Sequence, residues 1–123
     1  MKRLLPILFL LACNREAPAP VTQTAAPAAT VSVDEGRQLV SRYGCGVCHV
    51  VPGVEGAQGR LGPSLAGIAS RPKISFGTVD NTPANLAQFI QDPASRNPQT
   101  SMPPMAITDA EADAIAAYLG TLK

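Results

Sequence analysis

The sequence of 123 residues has little charge, few aromatic side chains and a single histidine. Charged residues make up 15% of the chain and the formal net charge is +1, so the sequence lacks the basic surface that nucleic-acid binding requires. One histidine excludes a zinc finger with two histidines and a two-histidine iron site. Tryptophan is absent and aromatic residues make up 4%, so one small domain of this length would have a marginal core unless something else fills it.

The first residues have the pattern of an export signal. Lys2-Arg3 precedes the apolar run 4–11, which is shorter than the about 20 apolar residues of a membrane-spanning helix. The segment 10–13 resembles a bacterial lipobox, which implies that 1–12 is a lipoprotein signal peptide and that Cys13 carries a lipid. Cys13 is also the odd one of three cysteines. The alternative is an ordinary cleaved signal with a cysteine nearby.

Residues 13–33 are predicted to be the lipidated cysteine and a flexible linker, because this segment is rich in alanine, proline and threonine and has no apolar periodicity. Residues 34–123 then form the folded domain. Such a linker would let the domain move near a membrane surface, and a spacer that only aids solubility is the alternative.

Three helices are predicted, and no segment alternates as a strand does. The first covers about 33–43, with Ser32 as its cap. The second begins at Thr82-Pro83 and ends at Asp92-Pro93, and the third begins at the capping box Thr108-Asp109-Ala110-Glu111. The prediction is an all-α fold with long loops, in which something bulky and apolar fills the middle.

The segment Cys45-Gly46-Val47-Cys48-His49 has the spacing of covalent c-type haem attachment. Two thiols separated by two residues can each reach one vinyl edge of the porphyrin, and the adjacent His49 then places an imidazole nitrogen on the iron. The predicted cofactor is one covalent haem c on Cys45 and Cys48. A thioredoxin-like redox pair would need a βαβ context, and a zinc site would need a fourth ligand, which the domain lacks.

A second iron ligand is predicted in the segment Met102-Pro103-Pro104-Met105, just before the third helix. A thioether is a soft ligand that favours ferrous iron and raises the potential. Met102 is the predicted ligand. The alternatives are Met105, an iron with an open sixth site, and methionines that only fill gaps in the core.

Together these residues resemble the class I cytochromes c over 34–123. The closest similarity is to the small haem domains fused to, or serving, terminal oxidases, and it is carried by the stretch 71–83. The matching segments are Gly36, the haem motif 45–49, Gly62-Pro63-Ser64-Leu65, Arg71, Asn81-Thr82-Pro83, Asp92-Pro93, Met102-Pro103 and Ala116-Ala117-Tyr118-Leu119.

The resemblance implies a cytochrome c fold of three to four short helices and long loops around one haem. It implies that His49 is the proximal ligand and Met102 the distal one, that the Pro63 carbonyl accepts from the other imidazole nitrogen of His49, and that Arg71 reaches a haem propionate. A plain turn residue and a solvated surface arginine are the alternatives for these last two. The expected haem-lining residues are Leu65, Leu86, Phe89 and Leu119, with Ile115 or Tyr118 packed on the first helix near Gly36.

The implied function is electron transport without catalysis, by a monomer tethered through its lipid on the periplasmic side of a membrane, inner or outer. The expected partners are redox proteins such as a quinol-oxidising complex or a terminal oxidase, and not nucleic acid. Two alternatives remain: a haem-bearing subunit fixed in an oxidase or reductase complex, and a ligand-binding or catalytic haem protein with a labile sixth site.

Overall fold

A computed structural model of the chain describes residues 32–123. The predicted signal segment, Cys13 and nearly all of the predicted linker therefore lie outside the described residues. The elements in chain order are helix α1 (Val33–Arg42), strand β1 (Lys73–Ile74), strand β2 (Val79–Asp80) and helices α2 (Pro83–Gln91), α3 (Pro93–Arg96) and α4 (Asp109–Leu119), with 3₁₀ turns at Cys45–Val47, Ile68–Ser70 and Ser75–Gly77. In the part described, no helix has the length and apolar character needed to cross a bilayer.

The three predicted helices are confirmed, and each begins at the predicted cap. The Ser32 hydroxyl accepts from the Glu35 backbone N–H at the start of α1. At the start of α2, the Thr82 hydroxyl accepts from the Asn85 backbone N–H, and proline occupies the first helical position. Thr108 and Glu111 form the reciprocal capping box of α4. These caps satisfy backbone donors that would otherwise have no partner in the first turn.

A fourth short helix agrees with the three to four helices that the resemblance implies, but its position and the hairpin were not predicted. After Asp92 ends α2, its carboxylate accepts from the Ser95 backbone N–H and begins the four-residue helix α3. Strands β1 and β2 pair antiparallel as a hairpin, with Lys73 opposite Asp80. A strand of two residues is too short to show an alternating pattern in the sequence.

Helices α1 and α4 cross at Gly36. A side-chain carbon at this position would lie 2.0 Å from the backbone oxygen of Ala114 and 2.8 Å from Cβ of Tyr118. Only glycine allows this close approach. The expected contact near Gly36 is therefore confirmed for Tyr118, whose hydroxyl also donates to the Pro52 backbone oxygen. Around the crossing lies the apolar core, which includes Leu39, Val40, Val51, Leu86, Ile90, Ile115 and Leu119.

A hydrogen bond from the Tyr43 hydroxyl to Glu111 joins the end of α1 to the start of α4, with an O···O distance of 2.8 Å. The other oxygen of Glu111 accepts from the Thr108 backbone N–H at 2.9 Å. The bond from Thr108 and then that from Tyr43 hold the pKa of Glu111 below its ordinary value. The ionised carboxylate therefore stabilises the folded chain.

We expect Glu111→Gln to lower the free energy of unfolding near neutral pH and to leave it nearly unchanged in acid. Glutamine retains the capping box, so the variant removes mainly the charge. Because the folded pKa lies below the unfolded pKa, the contribution is complete above the unfolded pKa and is lost as the pH falls through the folded pKa. Urea unfolding of both proteins from about pH 7 to about pH 3 measures the difference. A difference independent of pH would contradict the assignment.

Candidate haem-binding site

A cavity of about 870 Å³ lies beside the core. Its walls come from α1, α2, α4, the hairpin and the loops, and they are mainly apolar. The four expected lining residues, Leu65, Leu86, Phe89 and Leu119, all line it. The volume falls in the range of about 300–1,000 Å³ typical of small-molecule sites. The cavity therefore gives this small domain room for a large apolar group.

The motif 45–49 lies on the wall of this cavity and contributes Cys45, Cys48 and His49. The chain enters it through Gly44, whose φ of 68° lies in the left-handed region that glycine tolerates. A 3₁₀ turn follows, and the His49 backbone N–H donates to the Cys45 oxygen at 2.9 Å. This tight turn brings both thiols and the imidazole to one cavity.

Before haem is attached, the two cysteines of the motif are unpaired, half-buried thiols. Burial raises the pKa of the Cys45 thiol above its ordinary value. Burial therefore disfavours the thiolate form that redox cysteines use. Among residues 32–123, no three histidine, cysteine or acidic side chains lie together as a metal-binding group.

The imidazole of His49 is held on two sides. Its Nδ1 lies 2.7 Å from the Pro63 backbone oxygen, so Nδ1–H donates and Nε2 keeps its lone pair. The ring packs against Gly62, where a side-chain carbon would lie 2.4 Å from Cε1. Proline supplies a carbonyl at this point without a competing N–H. The contact is the one that the resemblance implies for Pro63, and it leaves Nε2 available to bind a metal.

Met102 and Met105 both line the cavity and are both half-buried. The Met102 backbone N–H donates to the Thr100 hydroxyl at 3.2 Å. The Met105 backbone N–H donates to the Gln91 oxygen at 3.2 Å, and its side chain packs against the core cluster. The structure thus brings both candidate thioethers to the cavity, and Met102 as the distal ligand stays a prediction.

Arg71 also lines the cavity. One terminal nitrogen of its guanidinium donates to the backbone oxygens of Ser64 and Ala66, each at 2.7 Å. These bonds hold the loop that follows Pro63, and they use only part of the five N–H groups that arginine carries. The remaining donors suit a carboxylate such as a propionate, which stays a prediction for this residue.

The hairpin contributes cavity-lining residues that were not predicted from the sequence, including Lys73, Ile74 and Phe76. Lys73 forms an ion pair with Asp80 at 2.6 Å, and its ammonium holds the pKa of that carboxyl below its ordinary value. Phe76 is 91% exposed although it lines the cavity. The one signal in the sequence that could have indicated the lining role of Phe76 is its position as an aromatic residue inside a polar, glycine-containing turn.

These residues fit a covalently attached haem. The cavity has apolar walls for the porphyrin, two thiols on one turn, an imidazole with a free Nε2, and two thioethers on its lining. Gly62 leaves room for the imidazole ring where any other residue would displace it. When bound, haem c supplies a one-electron iron couple, and the protein sets its axial ligands and its exclusion of water.

Comparison with known proteins supports a covalent haem. The family model for cytochrome c matches residues 33–123. The chain is 31% identical over 103 residues to cytochrome c-552 of Bradyrhizobium diazoefficiens, covering 84% of this chain and 86% of that protein. It is 32% identical over 91 residues to cytochrome c oxidase subunit 2 of Alkalihalophilus pseudofirmus, covering 73% of this chain and 25% of that protein. The chain therefore belongs to the cytochrome c family and binds haem c covalently.

Proposed function

We propose that the protein is a mono-haem electron carrier tethered to a membrane by a lipid on Cys13. The observation that supports it best is the set of side chains on one cavity: two thiols, the imidazole of His49 and the thioether of Met102. A histidine and a methionine together fill both axial sites of an iron. With neither site open to a substrate, the remaining chemistry is the transfer of single electrons, which is not an enzymatic reaction on a bound substrate.

Each of the chain's own residues has a defined part in this proposal. Cys45 and Cys48 form the two thioether links, and His49 Nε2 is the proximal ligand. The Pro63 carbonyl fixes the orientation of the imidazole and increases its basicity through the bond to Nδ1. Met102 is the distal ligand, which favours the ferrous state. The apolar cavity walls exclude water from the iron.

The proposed partners are redox proteins on the extracytoplasmic side of a membrane, such as a quinol-oxidising complex or a terminal oxidase. The similarity to a cytochrome c oxidase subunit 2 supports an oxidase among them. The same similarity favours a second candidate, a haem-bearing subunit fixed within an oxidase complex. Elution from detergent-solubilised membranes separates the two: a carrier elutes alone, and a fixed subunit elutes with its complex.

The axial ligation is tested by Met102→Ala, with Met105→Ala as the matched control. We expect the ferric wild type to be low-spin, with the charge-transfer absorption of a sulfur–iron bond. Met102→Ala removes that band and allows carbon monoxide to bind the ferrous protein. It also lowers the reduction potential of the haem by on the order of 100 mV, a fraction of the about 0.8 V over which axial ligands can shift it. Visible spectra and a redox titration measure these changes.

Met105→Ala is expected to keep the band, because the side chain of Met105 packs against the core cluster. If Met105→Ala loses the band and Met102→Ala keeps it, the distal ligand is Met105. If the wild type is already high-spin and binds carbon monoxide, the iron has an open site and the proposed carrier function is wrong.

A further inference from the structure

Asn97 connects two segments that both line the cavity. Its side-chain Nδ2 donates to the Ser75 hydroxyl at 2.9 Å, across 22 positions of the sequence. Ser75 lies at the tip of the hairpin, and the loop that follows Asn97 carries Met102. Ser75 and Met102 both line the cavity. The bond therefore attaches the start of the methionine loop to a second part of the cavity lining.

The other polar groups of Asn97 order the chain that leads to Met102. Its side-chain oxygen accepts from the Gln99 backbone N–H at 3.1 Å, and its backbone oxygen accepts from the Thr100 N–H at 3.0 Å. The Thr100 hydroxyl then accepts from the Met102 backbone N–H. A continuous series of hydrogen bonds thus runs from the hairpin through Asn97 to the backbone of Met102.

The hairpin tip has a backbone conformation that must be held by its contacts. Ser75 has a φ of 52° and Phe76 a φ of 55°, in the left-handed region that residues other than glycine rarely adopt. The Ser75 backbone oxygen accepts from both the N–H and the hydroxyl of Thr78. Because strained residues persist only where the surroundings fix them, the tip is an ordered attachment point for Asn97.

We propose that Asn97 is a positioning residue that holds Met102 at the iron by attaching its loop to Ser75. This inference rests on the proposed role of Met102 as the distal ligand. Residues 101–108 contain no helix or strand, so the loop has few backbone contacts of its own to keep the thioether in place. Without the bond to Ser75, Met102 leaves the iron more often and other ligands can take its site.

The test measures the affinity of imidazole for the ferric holoprotein, since imidazole binds only when the methionine has left. We expect Ser75→Ala to raise this affinity by about five- to tenfold, the effect of losing one hydrogen bond. Asn97→Ala also loses the bond from the Gln99 backbone N–H, so it is expected to raise the affinity by at least as much. In the double variant the two effects are not additive, because both substitutions remove the same bond. In both single variants, the sulfur–iron charge-transfer band is also expected to weaken at a lower temperature than in the wild type.

Two controls separate positioning from a general loss of stability. Asn85→Ala removes another side-chain amide, which donates to the Asp80 backbone oxygen at the base of the hairpin and accepts from Arg96. Arg96 keeps its bond to Gln88 in this variant, so the imidazole affinity is expected to stay unchanged. In a Met102→Ala background, Asn97→Ala has no effect on imidazole, because no methionine remains to be held.

The proposal is overturned if Ser75→Ala leaves the affinity unchanged, if the double variant is additive, or if Asn97→Ala acts equally without Met102. If the wild type lacks the charge-transfer band, the distal role of Met102 fails and this inference fails with it. If the band is present and the Asn97 and Ser75 variants bind imidazole as the wild type does, only the positioning role is wrong.

Discussion

A chain carrying Cys45→Ala and Cys48→Ala is expected to contain no covalent haem and to be unfolded at room temperature. The cavity of about 870 Å³ has mainly apolar walls, which a bound haem would cover. A domain of about 90 residues has a total stability of about 5–15 kcal/mol, so exposing these walls to water removes most of it. Removal of both thiols thus affects the fold as well as the cofactor.

Two measurements test this expectation. Extraction of the denatured chain with acidified organic solvent removes haem that is not covalently linked, and circular dichroism reports the helices. Cys13→Ser is the matched control, since it removes a thiol outside residues 32–123. That variant is expected to keep its haem and fold. If Cys13 carries the proposed lipid, the variant shifts from the membrane fraction to the soluble fraction. A colourless double-cysteine variant with a cooperative unfolding transition would refute the idea that haem completes the core.

Much of the fold follows from local signals in the sequence. Ser32, Thr82 and the Thr108–Glu111 pair each begin a helix as predicted, because a cap depends on residues three or four positions apart. The haem motif is equally local: its five residues form one turn, and the turn itself brings the thiols and imidazole together. Prediction succeeds where the determining contacts lie within a few residues of each other.

Other features depend on contacts between distant segments, and the sequence does not show them. The hairpin 73–80 has strands of two residues, which are too short to show a periodicity in the sequence. These strands are held by their pairing and by the Lys73–Asp80 ion pair. Asn97 looks like an ordinary loop residue until Ser75 is brought next to it. Helix α3 is too short for an apolar stripe. The choice between Met102 and Met105 likewise depends on which sulfur reaches the iron, since both line the cavity.

Gly36→Ala is expected to destabilise the holoprotein by about 3 kcal/mol, in the upper range for overpacked sites. The added carbon would lie 2.0 Å from the Ala114 backbone oxygen, and a backbone atom within a helix cannot rotate away as a side chain can. Helices α1 and α4 must therefore move apart. The better helix propensity of alanine offsets about 0.5–1 kcal/mol of this cost and does not reverse its sign.

Gly120→Ala is the matched control for this variant. It makes the same substitution at the end of α4, where the added carbon would lie 3.3 Å from the Ala117 oxygen, a distance that a small shift relieves. Guanidinium unfolding of the three holoproteins, in which the haem stays attached, compares their free energies of unfolding. We expect Gly120→Ala to lie within about 1 kcal/mol of the wild type.

The separation of α1 and α4 also reaches the haem site, because Val40 of α1 and Ile115 and Leu119 of α4 line the cavity. Gly36→Ala is therefore expected to loosen the cavity wall and to raise the access of water to the iron, which lowers the potential. If Gly36→Ala is as stable as Gly120→Ala, the two helices do not cross in contact at Gly36. If it is less stable and its potential is unchanged, the crossing supports the fold without shaping the haem site.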